Sequence, residues 1–164
     1  VLRTFLGCSR SASDGRTEIC LEETIDALEG AAPEAALALR LHPKNVRKTF
    51  RPYDPDLAAI SAGGDPLEAV YAADLVIGMT SVLLFEAAVI GRPTIAVTPR
   101  ALEADWLSSI GLGLTRHVCR AEDLRASISD ALKGGVAGLR SPDDMVPAGA
   151  AARMANAICR RIEV

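Results

Sequence analysis

The sequence has few aromatic residues, no long apolar run and no closely spaced pair of cysteines. Aromatic residues make up 4% of the 164 positions, so Ala, Leu, Ile and Val must fill the core of a chain that is 49% hydrophobic. No uninterrupted apolar run reaches the ~18 residues of a membrane-spanning helix. The net charge of −3, without a basic run or an acidic tail, gives no electrostatic reason to expect nucleic acid. The length and composition therefore indicate a single globular domain.

The four cysteines are scattered, with neither a CxxC pair nor the spacing of a zinc site. We expect buried free thiols, which suit a cytoplasmic protein that is at most peripheral to the inner membrane. The chain begins Val-Leu-Arg without Met or a signal peptide, so we interpret it as cut from a longer protein at its N-terminus. We expect no metal and no cofactor, because there are two His, no carboxylate cluster, and neither a GxGxxG nor a Walker A motif.

Apolar strand-like segments alternate with helical ones along the chain. Strands are predicted over 1–6, 36–41, 57–61, 74–78, 94–98 and 114–118, and helices over 17–28, 67–73, 81–90, 101–110, 121–132 and 151–162. Residues 45–56 are predicted to be loop, and the last helix is expected to face Met154, Ile158 and Ile162 inward. Several strands are continuous apolar runs, which predicts a six-stranded parallel sheet covered on both faces, an α/β domain that is doubly wound and Rossmann-like.

Ligands of such sheets bind beyond the carboxyl ends of the strands, where this sequence places small, hydroxylic and cationic residues. Ser9 and Arg10 follow the first predicted strand, His42 and Lys44 the second, Thr80 and Ser81 the fourth, and Arg100 the fifth. Small residues let backbone N–H groups approach phosphate oxygens, and a following helix supplies the positive end of its dipole. The set therefore predicts a phosphorylated ligand, although His42 alone also fits a structural role.

The stretch GMTSVLLFEAAVIGRPTIAV, residues 78–97, places polar groups inside an apolar region. A plain N-cap explains one of the hydroxyls of Thr80 and Ser81, and an anion site explains both. Glu86 is the one charged residue between Thr80 and Gly91, and a carboxylate there needs solvent, a cation or a ligand. It either forms a salt bridge, with Arg92 as the nearest candidate, or accepts hydrogen bonds from sugar hydroxyls.

Two segments resemble a known group of enzymes. The sequence LRLHP, residues 39–43, resembles the strand-then-His-Pro element of capsule-polysaccharide transferases, bacterial sialyltransferases and the CDP-glycerol glycerophosphotransferases of teichoic acid synthesis. The sequence AADLVIGMTSVLLFEAAVIGRPTIAV, residues 72–97, resembles their second element, in which Ser residues and an acidic residue precede Gly-x-Pro. These enzymes have the GT-B fold of two Rossmann-like halves, and the chain is similar to the C-terminal half, which holds the nucleotide-sugar donor.

The resemblance implies that His42, Thr80 and Ser81 hold the phosphates of a UDP-, CDP- or CMP-linked sugar and that Glu86 holds its ribose. It also implies an N-terminal acceptor domain, so that the chain alone is inactive. Gly78 stands where retaining enzymes with a Glu-x7-Glu pattern have their earlier Glu. The alternatives are a non-catalytic nucleotide-binding or interaction module, and a domain like that of UDP-sugar 2-epimerases, whose Gly-Gly after Ser is missing here.

Overall fold

The computed structural model describes residues 18–134 and 148–162. Its helices are α1 (Glu18–Ala31), α2 (Pro66–Ala72), α3 (Val82–Val89), α4 (Ser108–Gly111), α5 (Ala121–Leu132) and α6 (Ala150–Ile162). Its strands are β1 (Ala38–Arg40), β2 (Ala59–Ser61), β3 (Val76–Gly78), β4 (Thr94–Val97) and β5 (Arg116–Val118). Two 3₁₀ helices cover Arg47–Asp56 and Ala101–Trp106.

The described strands form two parallel sheets, one of two strands in the order β1-β2 and one of three in the order β3-β4-β5. Each strand coincides with a predicted one and is shorter than predicted. The α/β class and the parallel pairing are thus confirmed. The predicted strand over 1–6 lies outside the described residues, and the sheet of six strands stays a prediction.

Helices cover both faces of the three-stranded sheet. Ile95 and Val97 of β4 pack into one apolar cluster with residues of α1 and α5. Ala96 points to the opposite face, where it packs with Leu84 of α3 and with Leu107. Successive strand residues alternate between faces, and both faces of β4 are buried, which explains its continuous apolar sequence.

Helix α1 joins the two sheets. Its residues Cys20 and Ala27 belong to the cluster over the larger sheet. Leu21 and Ile25 belong to a second cluster, which includes Leu41 at the end of β1. One amphipathic helix therefore fixes the two-stranded sheet relative to the three-stranded one.

Two predicted segments have a different structure. Residues 45–56 form a 3₁₀ helix with Pro52 and Pro55 inside it, where a loop was predicted. The predicted helix over 101–110 is divided into the second 3₁₀ helix and the short α4, on either side of the buried Leu107. A 3₁₀ helix has three residues per turn, so its buried face differs from the one that a period of 3.6 predicts.

Helix α6 does not bury its apolar stripe. Met154 is 66% exposed and Ile158 is 53% exposed, so the prediction that they face inward is wrong. All residues from 150 to 160 are exposed. The amphipathic period is present, but within the described ranges the stripe has no surface to cover it. No helix of the described part is both long and apolar enough to cross a bilayer.

The described cysteines differ from the expectation of buried free thiols. Cys20 is buried and free, and burial raises the pKa of its thiol to about 12. Cys159 is free but exposed, and Cys119 is disulfide-bonded. The expectation therefore holds for Cys20 alone among them.

Candidate functional site

The carboxyl ends of β3 and β4 place hydroxyls and a guanidinium at one edge of the three-stranded sheet. The strands are parallel neighbours, with Gly78 opposite Ala96, so the residues that follow them leave the sheet on the same side. Thr80 and Ser81 follow β3, and Arg100 follows β4. The structure thus brings these three predicted site residues to a common edge.

His42 and Lys44 follow β1 at the carboxyl end of the other sheet. The His42 N–H donates to Asn45 Oδ1 at 3.0 Å, and the Lys44 N–H donates to His42 Nδ1 at 3.1 Å. A ring nitrogen that accepts a hydrogen bond carries no proton, so the neutral imidazole carries its proton on Nε2. The exposed ring therefore presents an N–H donor at the strand end. Ser9 and Arg10 lie outside the described residues.

Ser81 is the N-cap of α3. Its Oγ accepts from the Leu83 N–H at 3.2 Å, and its carbonyl accepts from the Leu84 N–H at 3.0 Å. The cap interpretation is confirmed for Ser81, whose hydroxyl keeps its own proton to donate. The half-buried Thr80 has no side-chain hydrogen bond to any residue of the described ranges. One cap accounts for one hydroxyl, as the sequence predicts.

Glu86 is exposed on α3 and is not paired with Arg92. The Arg92 guanidinium donates to the Tyr71 carbonyl at 2.7 Å, and the part of the chain that the structure describes contains no ion pair of Glu86. The salt-bridge alternative is therefore wrong within these residues. Glu86 lies five residues after Ser81, about 7.5 Å along the helix axis at 1.5 Å per residue.

Arg100 is held by a buried carboxylate that the sequence analysis missed. Its Nε donates to Glu103 Oε1 at 2.8 Å, and its Nη2 donates to the same oxygen. Glu103 is 3% exposed. Its Oε2 is buried and has no hydrogen-bond partner among the described residues. The spacing of three residues between Arg100 and Glu103 was the available signal.

A second missed feature joins β4 to β5 just below this edge. The Thr98 hydroxyl and His117 Nε2 form a hydrogen bond of 2.6 Å, and the Thr98 N–H donates to the Val118 carbonyl at 3.0 Å. Burial lowers the pKa of the His117 imidazole, which favours the neutral ring. These hydrogen bonds hold Thr98 against β5, and Thr98 begins the segment that carries Arg100.

Exposed apolar side chains accompany the polar ones at the strand ends. Val46 follows β1, Val82 follows β3, and Leu102 and Trp106 follow β4, and all four are exposed. Trp106, the one Trp of the chain, is 68% exposed. Such residues offer contact area to a nucleobase, a sugar or another domain.

Two surface depressions lie away from these strand ends. One, of 390 Å³, lies between α1 and α5 and is lined by Glu23, Asp26 and Arg125 among others. The other, of 330 Å³, is lined by residues that include Arg47 and Asp54, which form an ion pair. Neither is lined by a predicted site residue. Within residues 18–134 and 148–162, no group of three His, Cys, Asp or Glu is placed to hold a metal ion.

No protein-family model, curated protein or solved structure matches the chain.

Proposed function

We propose that the chain is the donor-binding half of a GT-B glycosyltransferase or sugar-phosphate transferase of surface polysaccharide synthesis. The observation that carries the proposal is the edge described above, where the hydroxyls of Thr80 and Ser81 and the guanidinium of Arg100 follow neighbouring parallel strands. Hydroxyl and guanidinium donors suit phosphate oxygens, and the N-terminus of α3 adds positive potential beside them.

The strand orders support a doubly wound sheet for this half. In a Rossmann sheet the strands lie in the order 3-2-1-4-5-6, and the ligand binds where the order reverses, between strands 1 and 4. Leaving out strand 1 gives two groups, 3-2 and 4-5-6. The described sheets, β2-β1 and β3-β4-β5, have this arrangement if the predicted strand over 1–6 is counted as strand 1.

That order also explains why two sheets contribute to one proposed site. β1 and β3 would be strands 2 and 4, on either side of the reversal. His42 and Lys44 at the end of β1 would then face Thr80 and Ser81 across the crevice. The donor diphosphate would lie between them, and Glu86 would accept hydrogen bonds from the ribose.

Catalysis by this half would be electrostatic. Donors fixed around the diphosphate stabilise the charge that develops on it as the sugar leaves. The acceptor and its base belong to the other half of the proposed enzyme. The isolated chain should therefore show no turnover above blank with labelled donor and crude acceptor. Sustained turnover would contradict the proposal that the acceptor site and the base lie in the other half.

Calorimetric titration with UDP, CDP, CMP and GDP at millimolar concentration tests the proposal. We expect heat with at least one of them and its loss in a Thr80→Ala, Ser81→Ala double variant. Ser129→Ala, which removes a half-buried hydroxyl from α5, is the matched control and should bind like the unchanged chain. Absence of binding by all four nucleotides would contradict the proposal.

A further inference from the structure

The segment that follows β4 begins at Thr98, which hydrogen bonds hold against β5. Thr98 is fully buried and is bonded to β5 through both its amide and its hydroxyl. The Glu103 N–H donates to the Arg100 carbonyl at 3.0 Å, which closes the first turn of the 3₁₀ helix. The backbone that carries Arg100 therefore has little freedom to move.

Within the described residues, the Arg100 guanidinium is bound along one edge only. Nε and Nη2 both donate to Glu103 Oε1, and a guanidinium has five N–H donors in a rigid plane. Three donors thus have no partner in the part of the chain that the structure describes, on a side chain that is 40% exposed. The buried carboxylate holds one edge of the plane while the rest of the group reaches the surface.

This contact is not the one that stability alone would favour. A bidentate pair would engage both carboxylate oxygens, whereas here two donors converge on Oε1 and Oε2 stays buried without a described partner. A buried unpaired oxygen is destabilising. Departures of this kind are expected where a side chain is held for binding.

We propose that Glu103 is a positioning residue, which orients Arg100 so that its remaining N–H donors bind the diphosphate of the ligand. The proposal rests on the proposed function, because it adds to the same edge a fixed cation for that group. A planar guanidinium matches two phosphate oxygens, whereas a nucleoside without phosphate offers it no anion.

Trp106 gives the readout, since it is the one Trp of the chain and lies three residues after Glu103. Fluorescence titrations compare the unchanged chain with Glu103→Gln, Arg100→Lys and the double variant. The probes are UDP, CDP, inorganic pyrophosphate, and the nucleosides uridine and cytidine. Calorimetry repeats any titration that leaves the fluorescence unchanged.

We expect Glu103→Gln to weaken binding of the diphosphates and pyrophosphate about tenfold, in line with the loss of one charge-assisted hydrogen bond. Nucleoside binding should not change. The double variant should bind within about twofold of Arg100→Lys, because residues that act as a unit are not additive. The melting temperature should stay close to that of the unchanged chain, since the partly exposed Arg100 can turn to solvent. Glu103→Met, of similar size, is the second variant if Glu103→Gln does not fold.

Unchanged diphosphate affinity in a folded Glu103 variant would overturn the proposal and leave the proposed function intact. An equal loss of nucleoside and diphosphate binding would also overturn it, because that pattern reports general disruption of the edge. If pyrophosphate binds in a manner that depends on Glu103 but neither nucleotide binds, the result would support the anion site and contradict the proposed function. Absence of binding by every probe would contradict both.

Discussion

The carboxyl ends of β1 and β4 both present a cation, but they hold it differently. Arg100 after β4 is bonded through two nitrogens to a buried carboxylate. Lys44 after β1 is exposed, and its ammonium has no ion pair among the described residues. A cation that is already fixed loses little conformational entropy when a ligand binds, whereas a free Lys is a hydrated, mobile point charge. The comparison predicts that β4 supplies affinity and β1 supplies a weaker, salt-sensitive attraction.

The largest effect is expected for Arg100→Ala. Loss of its charge-assisted hydrogen bonds should weaken nucleotide binding about 10- to 100-fold. The chain offers a matched control in Arg92, which precedes β4 at the opposite end of the strand and donates to the Tyr71 carbonyl. Calorimetry on Arg92→Ala should give the affinity of the unchanged chain. Equal losses in the two variants would mean that the amino end of β4 matters as much as the carboxyl end.

The Glu86→Gln variant tests whether Glu86 on α3 contributes to nucleotide binding. Weaker hydrogen bonds to a ribose should reduce nucleotide affinity about tenfold. The melting temperature should not change, because the side chain is exposed, is unpaired within the described residues and is replaced by one of equal size. Thermal melting and calorimetry on the one variant decide the matter. A lower melting temperature with unchanged affinity would refute the role in binding.

Ser81→Ala and Thr80→Ala should separate capping from binding at the end of β3. Loss of the cap should lower the free energy of unfolding by about 1 kcal/mol in Ser81→Ala. Thr80→Ala should leave stability nearly unchanged, because its hydroxyl has no partner within the described ranges. Urea unfolding of both variants measures the difference. Equal destabilisation would show that Thr80 is a structural residue.

The smallest effect is expected for Lys44→Ala. A mobile exposed charge should contribute about threefold or less to nucleotide affinity, and the difference should vanish in high salt. Calorimetry at low and high ionic strength measures both. A loss as large as that of Arg100→Ala would remove the distinction between the two strand ends.

The predictions from sequence succeeded where local chemistry determines the structure. Asp65 before Pro66 begins α2 and caps it through a hydrogen bond to the Leu67 N–H at 2.9 Å. Gly91 ends α3 with a φ of 83°, a conformation that suits Gly. The predicted strands that contain β3 and β4 are short apolar runs that end at a Gly or a Pro, a pattern that favours a buried strand over a helix.

The predictions from sequence were wrong where the burial of a side chain depends on which other residues pack against it. Leu102, Trp106 and Ile110 are spaced for one apolar face of an α-helix, which predicts that Leu102 and Trp106 are buried. The structure instead exposes Leu102 and Trp106 and buries Glu103. Periodicity shows that a face is apolar, but it does not show which surface covers it.

The most direct test of the central claim is a map of where a nucleotide binds. Amide resonances of the nitrogen-15-labelled chain would be followed during titration with UDP, CDP, CMP and GDP in turn. We expect the largest shifts on the amides that follow β1, β3 and β4, with little change along α5. Shifts centred on Glu23 and Arg125 in the depression between α1 and α5, or no shift with any nucleotide, would contradict it.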